Sequence, residues 1–185
     1  MTAAPSALWA PWAWLNGGWA ADLLLRVDAQ GRGSEVRTGT PAPPDADRLP
    51  GPVLPALMNA HSHAFQRAFV GMAKRRDSGH DDFWGWRDRM YSVALRITPD
   101  ELRAVAAHGH TELLAGGYTH TCEFHYLHHA PDSGACADPM AMSRVLADAA
   151  VATGMGLTLL AVSCERAGFQ QPALRHDQRR FAANV

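Results

Sequence analysis

Cysteine is scarce. Cys122, Cys136 and Cys164 are odd in number and widely separated, so they suggest no disulfide framework, and the absence of any C-x-x-C spacing argues against a zinc ribbon. A reducing cytoplasm is the default compartment. An excess of charge is missing too: 17 Lys and Arg against 18 Asp and Glu leave a net charge of −1. That balance lacks the electrostatic footprint of a protein that binds nucleic acid or an anionic membrane. No run approaches the roughly 20 apolar residues of a membrane-spanning helix. The Trp- and Ala-rich stretch from Ala7 to Ala21 contains Pro11 and Asn16 and no basic region precedes it, so it makes a poor signal peptide and reads as folded chain. The expectation is a cytoplasmic protein with no nucleic-acid or membrane partner. Internal repeats and low-complexity tracts are absent as well.

What is present is enough apolar material for a core. Of 185 residues, 47% are hydrophobic and 19% charged; a chain of this size buries roughly 70% of its unfolded surface, enough for one domain or slightly more. The first fifty residues differ in texture from the rest. Trp9, Trp12, Trp14 and Trp19, the apolar run Leu23 to Val27, and turn signals at Asn16-Gly17-Gly18 and Gln30-Gly31-Arg32-Gly33 suit short antiparallel strands. A proline-rich stretch follows, with Pro41, Pro43, Pro44, Pro50, Pro52 and Pro55, and reads as a connector. Residues 1–51 are therefore expected to form a small, partial β domain with this connector, and residues 52–185 a second unit.

The second unit alternates strand and helix. Pro52 to Ala60 fits a buried strand ending at a histidine pair. Thr98-Pro99-Asp100-Glu101 supplies an N-cap, a proline at the first helical position and a carboxylate at the third, and Gly116-Gly117 closes the helix that begins there. Tyr118 to Phe124 is the next strand; Asp138-Pro139 opens a second helix that Gly154 ends, and Met155 to Val162 is a third strand. Asp177 to Val185 reads as the start of a further helix. Strand, helix, strand, helix, strand is the order of βαβ units with parallel strands. A closed (β/α)₈ barrel takes about 250 residues, more than this chain has. The sheet is thus either small and open or a piece of something longer.

Chemistry is concentrated in ten histidines, seven of them between His108 and His176, with a tight pair at His61 and His63. His61-Ser62-His63 lies at the C-terminal end of the first predicted strand of this unit. Residues i and i+2 of a strand project from one side, so both imidazoles reach a single ion, and imidazole suits zinc, nickel, iron or copper. The competing reading of a bare H-x-H is an exposed pair on a loop.

The string Asn59-Ala60-His61-Ser62-His63-Ala64-Phe65-Gln66-Arg67 resembles the first metal motif of the amidohydrolase superfamily. Three further segments narrow the resemblance: Asp82-Phe83-Trp84-Gly85-Trp86-Arg87 with Met90-Tyr91, then Glu123-Phe124-His125-Tyr126-Leu127-His128-His129, then Gln178-Arg179-Arg180-Phe181. These are similar to the N-formimidoyl-L-glutamate deiminases of histidine breakdown from about residue 50 to the last residue. The resemblance implies an α/β fold, namely the first part of an amidohydrolase-type (β/α)₈ TIM barrel preceded by part of a small β-sandwich domain. It implies His61 and His63 as ligands of one Zn²⁺, with Fe²⁺ or another divalent ion as the alternative. It implies a dicarboxylate substrate whose formimino group is hydrolysed with loss of ammonia, and Gln66, Arg87, Tyr126 and His125 as substrate-binding residues. No catalytic residue is expected within the chain; the family's third metal histidine, catalytic histidine and metal aspartate are expected beyond Val185. The chain is then expected to be an N-terminal piece, inactive alone, of an enzyme whose full-length assembly is expected to be a homodimer.

Each assignment competes with a plainer one. Arg87 is equally read as a surface arginine over Trp84 and Trp86, Gln66 as a helix cap, and Tyr126 as an ordinary loop aromatic. His128 and His129 are read as structural or solvent-facing, Glu123 is unassigned, and Arg75-Arg76 is read as a solvated helix end. Ser163-Cys164-Glu165-Arg166-Ala167 and Tyr118-Thr119-His120-Thr121-Cys122 depart from the family pattern, without touching His61 or His63. Two alternative functions stand beside the deiminase: an amidohydrolase acting on a purine or related amino-heterocycle, which would not need Arg87, and a non-catalytic fragment or interaction module, which would not bind zinc.

Overall fold

The protein is described by a computed structural model covering residues 6–72, 83–131, 136 and 138–182, with side chains omitted at 83 and 84. Arg75, Arg76 and Asp82 lie outside the described residues. The chain divides into two compact units, Met1–Ala56 and Leu57–Val185.

In the first unit the Asn-Gly pair sets the geometry. Asn16 and Gly17 adopt φ of 50° and 83°, the two positive values of the hairpin turn that matches strand twist. They join β1 (Ala7–Leu15) to β2 (Gly18–Val27), with Leu15 opposite Gly18. Along this hairpin Ala10, Ala13 and Leu23 are buried, and Trp12, Trp14 and Trp19 are exposed, Trp14 meeting Trp19 edge-on at 5.4 Å. β3 (Gly33–Arg37) adds antiparallel to β2.

The proline-rich stretch is more than a connector. Asp47–Arg48 forms β4, parallel to β1, so the sheet order is β3-β2-β1-β4. The Leu49 amide donates to Trp9 O (2.8 Å) and the Val53 amide to Trp12 O (2.9 Å). Leu49 and Val53 also pack against the small apolar cluster. The prolines interrupt this edge without occupying its donor positions, which is where a sheet tolerates them.

The second unit carries a three-stranded parallel sheet, order β5-β6-β7, from β5 (Leu57–Ser62), β6 (Tyr118–His125) and β7 (Gly156–Ala161). Helices α1 (Phe83–Ala94), α2 (Pro99–Ala115) and α3 (Ala141–Thr153) accompany it, with 3₁₀ helices at Ala64–Phe69 and His176–Phe181. Thr98 caps α2 as its sequence predicts: its Oγ1 accepts the Glu101 amide at 3.3 Å while Glu101 Oε2 accepts the Thr98 amide at 2.9 Å. α3 begins at Ala141, later than the Asp138-Pro139 signal, because Asp138 Oδ1 accepts the Met140 amide (2.9 Å) and spends those residues on a turn. It ends at Gly154, whose φ of 79° favours glycine. Leu102, Ala106, Met142, Leu146 and Ala149 from α2 and α3 join Phe65, Phe69, Tyr91, Leu127 and Phe181 in the core.

Only one face of this sheet is covered among the described residues. Thr121, Glu123 and His125 of β6 are buried on that face, whereas their alternates His120, Cys122 and Phe124 are half-buried and Met58 and Leu160 on the adjoining strands are exposed. β5 is accordingly not the buried strand its apolar sequence predicts: Leu57 is 51% and Met58 69% exposed. The expected terminal helix is, over its described part, the 3₁₀ helix His176–Phe181. Its Arg180 is wholly buried: Nε donates to His129 O (2.8 Å), Nη1 donates to Ala94 O at the end of α1, and the Arg180 carbonyl accepts the His128 amide (2.9 Å).

Candidate metal centre

The C-terminal ends of β5 and β6 bring the predicted histidine pair together. His61 Nε2 and His63 Nε2 lie 2.9 Å apart, with ring planes at 84°. Ser62 is aligned with Glu123 after a register irregularity between Asn59 and Ser62, and His61 and His63 on either side of Ser62 both pack against Phe124 at 5.4 Å.

The orientation of His63 is fixed by the backbone of β6. Its Nδ1 donates to Phe124 O at 3.0 Å, so Nε2 presents a lone pair towards His61. Burial lowers its pKa, ahead of a raising contribution from that carbonyl and a lowering one from His61, which favours the neutral, metal-competent form at neutral pH. Two nitrogens bound to one zinc, each at about 2.0–2.1 Å and separated by an angle of about 90–109°, lie about 2.8–3.4 Å apart. The observed 2.9 Å falls in that range, and the carbonyl behind His63 is the usual partner of a ligating imidazole. The residues present therefore fit a divalent ion; without one, the same spacing suits a proton carried on His61 Nε2. Among the described residues, no group of three His, Cys, Asp or Glu side chains that could hold a metal is found.

Two predicted substrate residues adjoin the pair. The Gln66 amide donates to Tyr126 Oη at 3.0 Å, and the Tyr126 ring meets His63 edge-on at 5.2 Å. Burial pushes the Tyr126 pKa up to about 12. The phenol thus stays protonated, and with its oxygen already accepting from Gln66 its own proton is free to be donated. A cleft of about 580 Å³ opens beside this corner, lined in part by Ser62, His63, Gln66, Arg67, Trp86 and His110.

Arg87 and His125 are placed differently. The Arg87 guanidinium sits 5.7 Å from the Tyr91 ring centre, and Tyr91 and Tyr126 both pack against Phe181, at centroid distances of 5.8 and 4.9 Å. His125 is buried on the covered face of β6, opposite Phe124, and packs edge-on to His128 at 5.4 Å. Its Nε2 has no hydrogen-bond partner, and burial, then the neighbouring His128, pushes its pKa down to about 4. His128 and His129 each direct Nε2 at a backbone carbonyl, Val162 O (2.9 Å) and Ala182 O (2.7 Å), consistent with structural roles.

One residue the sequence left unassigned stands directly behind the pair. Glu123 is buried, its Oε1 accepts the Ala64 amide at 2.7 Å, and its Oε2 has no hydrogen-bond partner. Burial pushes its pKa up to about 7 against the lowering effects of Ala64 and Ser62. The signal was the pairing of Ser62 with Glu123, which needs the strand register to be read.

A model described as amidohydrolase family matches residues 53–184. The chain is 42% identical over 176 residues to a formimidoylglutamate deiminase of Pseudomonas aeruginosa, covering 95% of this chain and 39% of that protein. It thus spans about two fifths of the relative's length. A crystal structure of an amidohydrolase from Brucella melitensis superposes with a TM-score of 0.90 at 40% identity, covering 96% of this chain and 39% of that one. An atrazine chlorohydrolase from Arthrobacter aurescens, crystallised with zinc, shares the fold at a TM-score of 0.58 and 18% identity, with coverage of 83% and 33%.

Proposed function

Because the chain belongs to the amidohydrolase family, we propose that it forms part of a metal-dependent deiminase that hydrolyses N-formimidoyl-L-glutamate to N-formyl-L-glutamate and ammonia. The observation that carries this reading is the His61 and His63 pair, 2.9 Å apart with His63 held from behind by a carbonyl, at the C-terminal ends of parallel strands. Active sites of α/β barrels occupy that end. In this reading the three parallel strands are the first of a (β/α)₈ barrel, residues 1–51 contribute to a β-sandwich, and the protein works in the cytoplasm as a homodimer.

His61 and His63 would hold the ion, zinc in the first instance or Fe²⁺ or another divalent metal otherwise. When bound, the ion supplies Lewis-acid chemistry at neutral pH. The chain's own residues do the rest of what is assigned here. Burial favours neutral His63, and Phe124 O, by accepting the Nδ1 hydrogen bond, fixes the tautomer that leaves Nε2 free to ligate. Tyr126, oriented by Gln66, donates to a carboxylate or carbonyl oxygen of the substrate. Arg87 provides the guanidinium that a dicarboxylate calls for, bidentate in its preferred geometry. His125, buried away from the pair, lines the substrate region at most from behind β6. Two ligands alone fall short of the three that catalytic zinc sites use, so this reading takes the remaining ligands and the proton-transfer groups from outside the described residues.

The test is ammonia release from N-formimidoyl-L-glutamate by zinc-loaded protein. A full-length polypeptide carrying these residues is expected to turn over, its Arg87→Met variant is expected to lose activity, and the 185 residues alone are expected to be inactive. Full activity of Arg87→Met on N-formimidoyl-L-glutamate would remove Arg87 from the substrate site, and no activity of wild type on that substrate beside turnover of an amino-heterocycle would favour the heterocycle reading. No stoichiometric metal in the full-length protein would favour a non-catalytic role.

A further inference from the structure

We infer that Glu123 is a positioning residue for the histidine pair: its buried carboxyl pins the turn that follows His63 and so keeps both Nε2 atoms aimed at one point. This rests on the reading of His61 and His63 as metal ligands.

The need for such a pin follows from the local backbone. β5 stops at Ser62, and the chain turns into the 3₁₀ helix at Ala64 through His63, whose φ and ψ are −133° and 86°. The first amides of a helix have no acceptor within it. His63 offers no side-chain cap. Nor does a free end stay put: a backbone amide left unsatisfied next to buried Ala64 and Phe65 would favour other turns. Glu123, 59 residues away in sequence, fills the vacancy with a 2.7 Å bond from Ala64 N to Oε1.

The position of Glu123 on β6 makes the bond specific. Its neighbour Phe124 offers a carbonyl to His63 Nδ1, so two consecutive residues of β6 hold consecutive residues of the next strand's end, one by the ring and one by the backbone. A side chain at 123 must reach Ala64 across the strand spacing, and Glu or Gln has that length. Asp is one methylene too short, and an apolar residue offers no acceptor. The pin matters to metal because ligand atoms must converge within a few tenths of an ångström, and partners behind ligands typically change affinity 10–100-fold when removed.

The experiment measures zinc affinity by competition with a chromophoric chelator, and records the Co²⁺ absorption spectrum, for the full-length protein as wild type, Glu123→Gln, Glu123→Met and Glu123→Asp. Metal-free melting and far-UV spectra establish which variants fold, and Glu123→Asp stands in for Glu123→Met if the latter does not. Glu123→Gln keeps the acceptor oxygen and is expected within about threefold of wild type, with an unchanged Co²⁺ spectrum. Glu123→Met and Glu123→Asp are expected to bind at least tenfold more weakly, with a shifted spectrum, while remaining folded. A folded Met or Asp variant that binds as tightly as wild type overturns the inference, and so does a Gln variant as weak as the other two. If wild type itself binds neither metal, the ligand reading fails first and the inference with it, an outcome distinct from wild-type binding that the variants leave unchanged.

Discussion

A buried imidazole without a partner for one nitrogen carries a pH signature. For His125 the folded pKa of about 4 lies below the ordinary 6.5, chiefly through burial. Between those values the unfolded chain binds a proton that the folded chain refuses, so stability rises with pH across this window and is constant with respect to this group above it. The expected loss on going from pH 7 to pH 4 is on the order of 2–3 kcal/mol. Urea unfolding at pH 7, 5.5 and 4 checks it: the difference between wild type and His125→Gln should shrink or reverse as the pH falls, and a difference independent of pH would contradict it. At the site, Tyr126→Phe removes a donor while keeping the ring against His63 and Phe181. A hydrogen bond to a charged group is worth about 1.5–3 kcal/mol, so kcat/KM of the full-length enzyme should fall roughly 10–150-fold with its metal content unchanged. The histidine pair was legible in the sequence from its H-x-H spacing at a strand end, although His63 itself sits one residue past β5. Glu123 was not, because its partner lies on another strand and only the alignment of Ser62 with Glu123 exposes the relation. Arg87 illustrates the opposite case: its motif is conspicuous, while its packing beside Tyr91 cannot be read from spacing.

Among the elements, α2 and α3 were the most legible. Thr98 to Glu101 and Gly154 are local signals that need no tertiary information, and both act as predicted. Their stabilities differ in origin. Thr98→Ala removes a cap and should cost about 1 kcal/mol. Leu146→Ala, in a side chain only 1% exposed within the core, should cost about 2–5 kcal/mol through lost transfer energy and a cavity. Thermal or urea unfolding of both variants should preserve that order; equal costs would mean that the core collapses around the missing side chain. The proline-rich edge was less legible. Its composition argues against a strand, and it pairs through Leu49 and Val53, whose value to the sheet comes from the apolar cluster on β1 and β2. α3's late start had a similar cause: Asp138 and Pro139 are good first-turn residues, but an Asx turn took them.

Taken whole, the molecule is two units whose sheets differ in kind. The antiparallel one tolerates a solvent face, and its tryptophans stand there; parallel sheets in α/β proteins are ordinarily covered on both sides, and this one has a cover on one among the described residues. The alternation of strand and helix was readable from hydrophobic period, whereas which face of β5 stays open depends on how many strands surround it. Arg180 shows how far a single side chain reaches in this unit, since it holds the end of α1 and the segment after β6 to the last described turn. For trypsin, that same guanidinium is a bond hidden in plain sequence. The enzyme must draw an arginine into its own specificity pocket, and Arg180 is inaccessible while Arg175, five positions earlier, is exposed. Limited digestion should therefore nick after Arg175 long before it cuts between Arg180 and Phe181, and the lag between the two cuts times how often this corner of the molecule opens.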